Sequence, residues 1–325
     1  MKKTKIYFLL LVIIIVLIGL VGCNKDKEDL EINVASLKGP TSMGLVKIME
    51  DNFNDQEKYN YNFTIAGLVD EVTTGIVSGE YDIAAIPANL ASVLYNKSEG
   101  KVAVVGINTL GVLYIVETGE QIQTVEDLKG KTIYSTGKGI TPEYTLNYLL
   151  SSNGIDPQKD VTIEYKSEAT EVAAILSESD DAIAMLPQPF VTTVIMNNEK
   201  IRIALDIAEE WEKADKSESA VTTGVVVVNK QFLEDNPEAV ESFLEEYNDS
   251  VSYVNSNIEK AAQLIEKFDI FKAAVAKKAI PECNIVLITG EDMKTKLEGY
   301  LEVLYEQNPN SVGGQLPNDD FYYIK

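Results

Sequence analysis

Hydrophobic and polar positions alternate between two periods along most of the chain. Glu31-Ile32-Asn33-Val34-Ala35 starts a strand with a period of two, and Gly39-Pro40 breaks it. Met43, Leu45, Val46, Ile48 and Met49 then recur at helical spacing. They predict a helix over about 41–52, with Thr41 or Ser42 at its N-cap. The same cycle predicts strands over 61–66, 81–86, 102–107 and 112–116, a helix over 70–78 closed by Gly79, and a helix starting at Leu90. After Thr118-Gly119-Glu120 the cycle begins again. Strands are predicted over 133–135, 161–165, 181–186 and 201–205, and helices over 141–152 and 170–179. In the first of these helices Thr141 is the expected N-cap and Pro142 the first helical residue. Residues 207–219 are acidic and polar, and 222–228 form a β-branched strand that reads as a return crossing. Helical spacing then covers 237–255, 258–268, 273–279 and 293–307, before an irregular tail over 312–317.

This is an α/β pattern of doubly wound βα lobes. One internal echo supports two similar lobes. Tyr81-Asp82-Ile83-Ala84-Ala85-Ile86-Pro87 is matched by Asp181-Ala182-Ile183-Ala184-Met185-Leu186-Pro187, an apolar strand that ends on proline. Such strands suit burial on both faces of a sheet. Ligands of open α/β sheets lie at the C-terminal strand ends, here 38–42, 66–67, 87–89 and 108–109. The turn 136–142 repeats in the second lobe the logic of 38–44 in the first: a Gly-rich turn running into a capped helix. The two turns read as opposing jaws.

The first 22 residues are a targeting segment. Lys2, Lys3 and Lys5 precede an apolar run from Ile6 to Val21. The run ends in Leu20-Val21-Gly22-Cys23, which resembles the lipobox of bacterial lipoproteins. That resemblance implies cleavage before Cys23, its lipidation (palmitate among the acyl chains) and a lipidated linker over 23–30. The alternative is an uncleaved signal-anchor helix, for which the run is short of the ~20 residues of a span.

Composition removes several function classes. The net charge is −23, and removing residues 1–22 takes three lysines and no acid, leaving −26. A basic footprint for nucleic acid is therefore missing. The chain has no histidine, which removes Ser-His-Asp and Cys-His catalysis and histidine metal ligands. Beyond Cys23 there is one cysteine, Cys283, so no structural disulfide is expected, and Arg202 is the one arginine. No cofactor, metal or catalytic residue is expected.

Three stretches carry a wider resemblance. They are Leu37-Lys38-Gly39-Pro40-Thr41, Val77-Ser78-Gly79-Glu80-Tyr81-Asp82-Ile83-Ala84, and Thr124-Val125-Glu126-Asp127-Leu128-Lys129-Gly130-Lys131-Thr132-Ile133. Over about residues 31–305 the chain resembles extracytoplasmic solute-binding lipoproteins of ABC importers, of the periplasmic-binding type II group that includes nitrate, sulfonate, taurine and thiamine-precursor binders. The resemblance implies a two-lobed fold closing on a ligand, with lobe I formed by 31–117 and 220–325 and lobe II by 118–219. It puts the crossings near 114–119 and 219–223. It also implies a monomer on the extracytoplasmic face of the cell membrane, of Gram-positive type, that hands its ligand to ABC permease subunits.

The candidate ligand residues are Gly39, Pro40, Thr41, Ser42, Asn89 and Thr109 from the first lobe, Thr136, Gly139, Thr141 and Gln188 from the second, and Thr223 at the return crossing. Asn89 also suits an N-cap for the helix that follows it. Lys138 is a possible counter-ion, Glu282 a possible partner for a cationic nitrogen, and Tyr114, Tyr144 and Phe190 possible stacking surfaces; for each, solvent exposure or core packing is the plainer role. Arg202, mid-strand between Ile201 and Ile203, reads as a surface or structural residue rather than a ligand clamp. Hydroxyls, amides and few cations suit a neutral or weakly anionic polar ligand. Two alternatives share the pattern: a sensory lipoprotein without transport, and an enzyme of the same fold, related to pyrimidine synthases or menaquinone-pathway dehydratases.

Overall fold

A computed structural model of the chain describes residues 30–54, 56–214 and 219–325. The expected signal peptide, the lipidated Cys23 and all of the linker except Leu30 lie outside the described residues. The first sheet contains β1 (Glu31–Leu37), β2 (Asn60–Ala66), β3 (Ile83–Pro87) and β4 (Val102–Thr109). The second contains β5 (Leu113–Thr118), β6 (Thr132–Ser135), β7 (Thr162–Tyr165), β8 (Ile183–Pro187) and β9 (Ile201–Asp206). The chain then returns to the first sheet as β10 (Gly224–Asn229) and β11 (Ile285–Ile288).

The strand orders are β11-β4-β10-β3-β1-β2 and β7-β6-β8-β5-β9. Each sheet is mixed rather than all parallel. In the first, β1 is parallel to β2 and β3, and β10 lies antiparallel between β3 and β4. In the second, β6 is parallel to β7 and β8, and β5 lies antiparallel between β8 and β9. In both, the inserted strand is the one arriving from the other lobe. The chain therefore winds the same way twice, and the echoing strands β3 and β8 hold equivalent places.

Alternation along these strands splits each sheet between two apolar layers. Val226 and Val228 join one layer of the first sheet, while Val225 and Val227 join the other. Leu113 and Ile115 face one layer of the second sheet, Tyr114 and Val116 the other. A strand buried on both faces has no polar side to show, which is why the run Val225–Val228 is unbroken.

Two expectations are corrected here. β5 belongs to the second sheet, so the first crossing is at residues 110–112, not 114–119, and the first lobe's opening segment ends before 117. The period of a strand says that it pairs, not with which sheet. The second correction concerns the first helix, which is two pieces, Pro40–Met43 and Val46–Phe53. Ser250 explains the break: its hydroxyl donates to the Gly44 carbonyl at 2.6 Å and accepts from the Lys47 amide at 3.2 Å, displacing the helical ladder there.

Beyond short 3-10 turns, four elements went unpredicted, two of them the helices Phe190–Asn197 and Lys230–Asp235. The acidic stretch after β9 opens with a helix, Ile207–Ala214, that buries Ile207 and Trp211. Their i, i+4 spacing, behind an Asp206 side chain that accepts from the Ala208 amide at 2.8 Å, is the signal that was there to find. The fourth is the short edge strand β11.

The lobes touch on two sides. The Thr141–Ser152 helix of the second lobe packs on the Gly290–Gln307 helix of the first. The Phe190–Asn197 helix packs on Ala273–Ala279, next to a T-shaped contact of Phe190 on Phe271 at 5.5 Å. At the first crossing, the Leu110 amide donates to the Asn284 carbonyl at 3.2 Å.

Candidate functional site

In both sheets a helix begins where a parallel strand ends. Pro40–Met43 follows β1, Ala88–Lys97 follows β3, Thr141–Ser152 follows the turn after β6, and Phe190–Asn197 follows β8. The first amides of a helix have no intrahelical partner and sit at its positive end. The strand ends of the two lobes face one another: the Thr141 hydroxyl donates to Asn89 Oδ1 at 3.3 Å, with both residues buried. Two helix N-termini thus meet across the space between the lobes, one from each.

The floor on the first-lobe side is a cluster of threonines around Gly224. A methyl group placed on Gly224 would stand 2.6 Å from Asn108 Oδ1 and 2.7 Å from Thr41 Cγ2, with Thr109 Cβ at 3.4 Å. Asn108 Nδ2 donates to the Thr41 carbonyl and to the Tyr247 hydroxyl, each at 3.2 Å, and Asn108 Oδ1 accepts from Thr109 at 3.3 Å. Asn108 is fully buried and bonded on both ends of its amide. Burial pushes the Tyr247 hydroxyl well above the ordinary tyrosine range, so it stays neutral. Thr223 adjoins this cluster, its amide donating to the Thr109 carbonyl at 3.0 Å, while its hydroxyl is buried without a hydrogen-bond partner. Such a group costs free energy unless something fills it. Gly224→Ala is therefore expected to lower stability by about 1–3 kcal/mol, the usual cost of overpacking; denaturant unfolding checks the effect.

The other expected residues divide into those at this place and those turned elsewhere. Gly39, with φ +150°, is itself the N-cap, so neither Thr41 nor Ser42 fills that position. The Ser42 hydroxyl donates to the Gly39 carbonyl at 2.9 Å and the Thr41 hydroxyl to that of Leu37 at 2.9 Å, so both are committed to their own turn beside Pro40. Asn89 is the second residue of its helix rather than its cap, and it donates to the Ser311 carbonyl at 3.0 Å. Thr141 is the first residue of its helix, with Ile140 at the cap. Gln188, before a cis peptide bond to Pro189, accepts from the Thr192 amide and hydroxyl through Oε1, leaving its NH₂ end for other groups. Thr136 is half-buried, and Gly139 is exposed, its amide bound to Glu143 at 2.6 Å.

Of the charged residues, Arg202 is engaged at the far end of β5 from the strand ends described above. Arg202 binds Glu117 at 2.5 Å and the Ile122 carbonyl at 2.6 Å. Lys38 pairs with the exposed Asp269 at 3.6 Å, and Lys138 lies exposed in a groove lined by Tyr144 and Tyr165 and, from the first lobe, by Gln307 and Asn308. The Glu282 side chain is exposed, while its carbonyl accepts from Tyr114 at 3.2 Å. Near that contact, burial raises the Asp206 carboxyl above the usual carboxylate range, helped by Glu209 and Glu282 and opposed by the Ala208 and Glu209 amides. The sequence reading puts Asn108 at a strand end facing the ligand without choosing it as a candidate, and it misses its partner Tyr247.

The family model described as "ABC transporter, phosphonate, periplasmic substrate-binding protein" matches residues 44–279. The chain belongs to this family. Solved structures place its fold among such binding proteins. A crystal structure of an ABC transporter from Parabacteroides distasonis is 24% identical, with a TM-score of 0.74, covering 91% of this chain and 100% of that one. The periplasmic aliphatic sulphonate binding protein of Escherichia coli is 15% identical, with a TM-score of 0.70, covering 90% and 92%. The ligand-binding component of an ABC-type import system from Staphylococcus aureus, solved with zinc bound, is 17% identical, with a TM-score of 0.67, covering 90% and 96%. No curated protein matches the chain. Among the described residues, no group of three or more histidine, cysteine, aspartate or glutamate side chains is arranged to hold a metal ion. No helix among them is long and apolar enough to cross a membrane.

Proposed function

We propose that this family member is the solute receptor of an ABC importer and that it captures a small organic oxyanion of low charge, of the phosphonate or sulfonate class, between its lobes. The observation that carries this reading is the meeting of Asn89 and Thr141, which brings two helix N-termini face to face. Helix N-termini attract oxyanions through unpaired amides and the helix dipole. The buried Thr223 hydroxyl lies at the floor of the same region. Arg202, the one arginine, is engaged with Glu117, so no guanidinium clamps the anion, and amides and hydroxyls hold it, which favours one charge over two. The family and its structural neighbours are transporter binding proteins, which favours a receptor over an enzyme of this fold. Lipid anchoring at Cys23, an extracytoplasmic location and delivery by a monomer to permease subunits complete the reading. Their support is the sequence of residues 1–30 and the family's role.

Calorimetric titration of the purified chain with methylphosphonate, longer alkylphosphonates, alkanesulfonates, inorganic phosphate and neutral pyrimidines tests the proposal. One of the organic oxyanions should bind, and Thr223→Val should weaken it about tenfold, the effect of one buried hydrogen bond to a charged group. Binding of the pyrimidines alone would overturn the charge assignment. Binding of nothing in the series would remove the support for a receptor of this class.

A further inference from the structure

We infer that Tyr300 is a positioning residue that sets how firmly the lobes hold together over the ligand site, and so scales the affinity for every ligand; this rests on the receptor reading above. Tyr300 is fully buried on the Gly290–Gln307 helix of the first lobe. Its hydroxyl lies 2.9 Å from that of Thr145, a fully buried residue on the Thr141–Ser152 helix of the second lobe. Thr145 stands one turn after Thr141, whose hydroxyl meets Asn89. Burial pushes the Tyr300 phenol up to about 12, against the pull of Thr145 and Thr141, so it stays protonated and neutral at any working pH.

The contact joins helices of the two lobes, so any opening that separates these helices breaks it. An interaction made in one of two states biases their ratio by its own free energy and leaves the intrinsic chemistry of the site alone. This separates Tyr300 from Asn89 and Thr141. Those two bond each other where the helix N-termini meet, and a ligand held there competes with their bond. The Tyr300 hydroxyl bonds Thr145 one turn further along and lies within hydrogen-bond reach of Thr141, so its part is to brace the second-lobe helix rather than to meet the occupant. The molecule also carries its own reporter. Trp211, the one tryptophan of the chain, has its ring 4.3 Å from Tyr148 of the second lobe and 5.4 Å from Tyr300 of the first. It sits in the seam that opening would separate.

The test uses the purified full chain and its Tyr300→Phe, Thr145→Val and doubly changed forms. It reads dissociation constants for methylphosphonate, methanesulfonate and inorganic phosphate, the Trp211 emission with no ligand added, and the melting temperature. In Tyr300→Phe, every ligand that binds should weaken by the same factor, about three- to tenfold for one buried neutral hydrogen bond. The double change should weaken binding no more than either single one, and the emission of the free protein should shift to the red. Unchanged affinities, or factors that differ from ligand to ligand, would overturn the inference, the latter by making Tyr300 a direct contact. A lower melting temperature with unchanged emission would also overturn it, reducing Tyr300 to packing. If none of the ligands binds, the receptor reading fails by itself, and the emission still decides the role of Tyr300 in holding the lobes together.

Discussion

Replacing Arg202 with alanine should lower the unfolding free energy by about 3 kcal/mol, the low end for breaking a buried ion pair by removing one partner. Glu117 is the reason. It is 1% exposed, and its carboxylate is held by Arg202 and by the amides of Gln121 at 3.0 Å and Ile122 at 3.1 Å. Without the guanidinium those amides remain, and so does a buried negative charge facing no cation. Arg202 also donates to the carbonyls of Gly119 and Ile122, so the turn after β5 loses its clamp. The Arg202 side chain is 32% exposed, and water entering beside it keeps the loss near the lower bound. Chemical denaturation followed by circular dichroism measures the effect. Replacing the pair together, with Arg202→Met and Glu117→Gln, should recover most of it, because no stranded charge is left. A full loss in the double variant would mean that packing, not charge, holds this turn.

Trp211→Ala should be at least as costly, about 3–5 kcal/mol for emptying a buried aromatic site. Trp211 is fully buried among Met293, Leu297, Tyr300, Leu301 and Leu304 of the first lobe, and its indole donates to Ser219 at 3.2 Å. The helix that carries it leaves the second sheet directly after β9. Its ring therefore pins the second crossing to the first lobe's core. The substitution should lower stability and loosen the closed arrangement together, so ligand affinity should fall along with the denaturation midpoint. Trp211→Phe, which keeps most of the ring volume, should lose less than half as much of both. Circular dichroism is the right probe, since the variants lack the tryptophan signal. Equal losses in the two variants would show that the indole hydrogen bond, not the ring, carries the effect.

Much of the molecule is legible in the residues themselves. The Ile/Val runs that became β1, β3, β8 and β10 have the period and composition of strands covered on both faces. Gly79 closes its helix in the left-handed conformation, as a terminal glycine should. The echo of 81–87 in 181–187 marks two strands that hold the same position in two sheets. Local chemistry decides these features, and local chemistry is what a sequence displays. The candidate site was legible in outline for the same reason. Thr41, Asn89, Thr109, Thr141, Gln188 and Thr223 all stand at strand ends or crossings, where the topology of α/β sheets gathers loops.

The use made of those side chains was not legible. Ser42 turns back on Gly39, and Thr41 on Leu37, because the shortest partner for a hydroxyl in a tight turn is its own backbone. Asn108 looks like any polar residue at a strand end until Tyr247, 139 positions away, supplies its partner. The sequence by itself determined which segments are strands and helices, that they form two lobes wound alike, and that histidine chemistry has no place here. Only the tertiary structure decided that β5 crosses to the second sheet, that Arg202 serves Glu117 rather than the ligand region, and that Tyr300 and Trp211 join the lobes. The physical reason is one of range. Periodicity and capping act over a few residues, whereas pairing of sheets, burial of charges and contact between lobes depend on groups brought together from far along the chain.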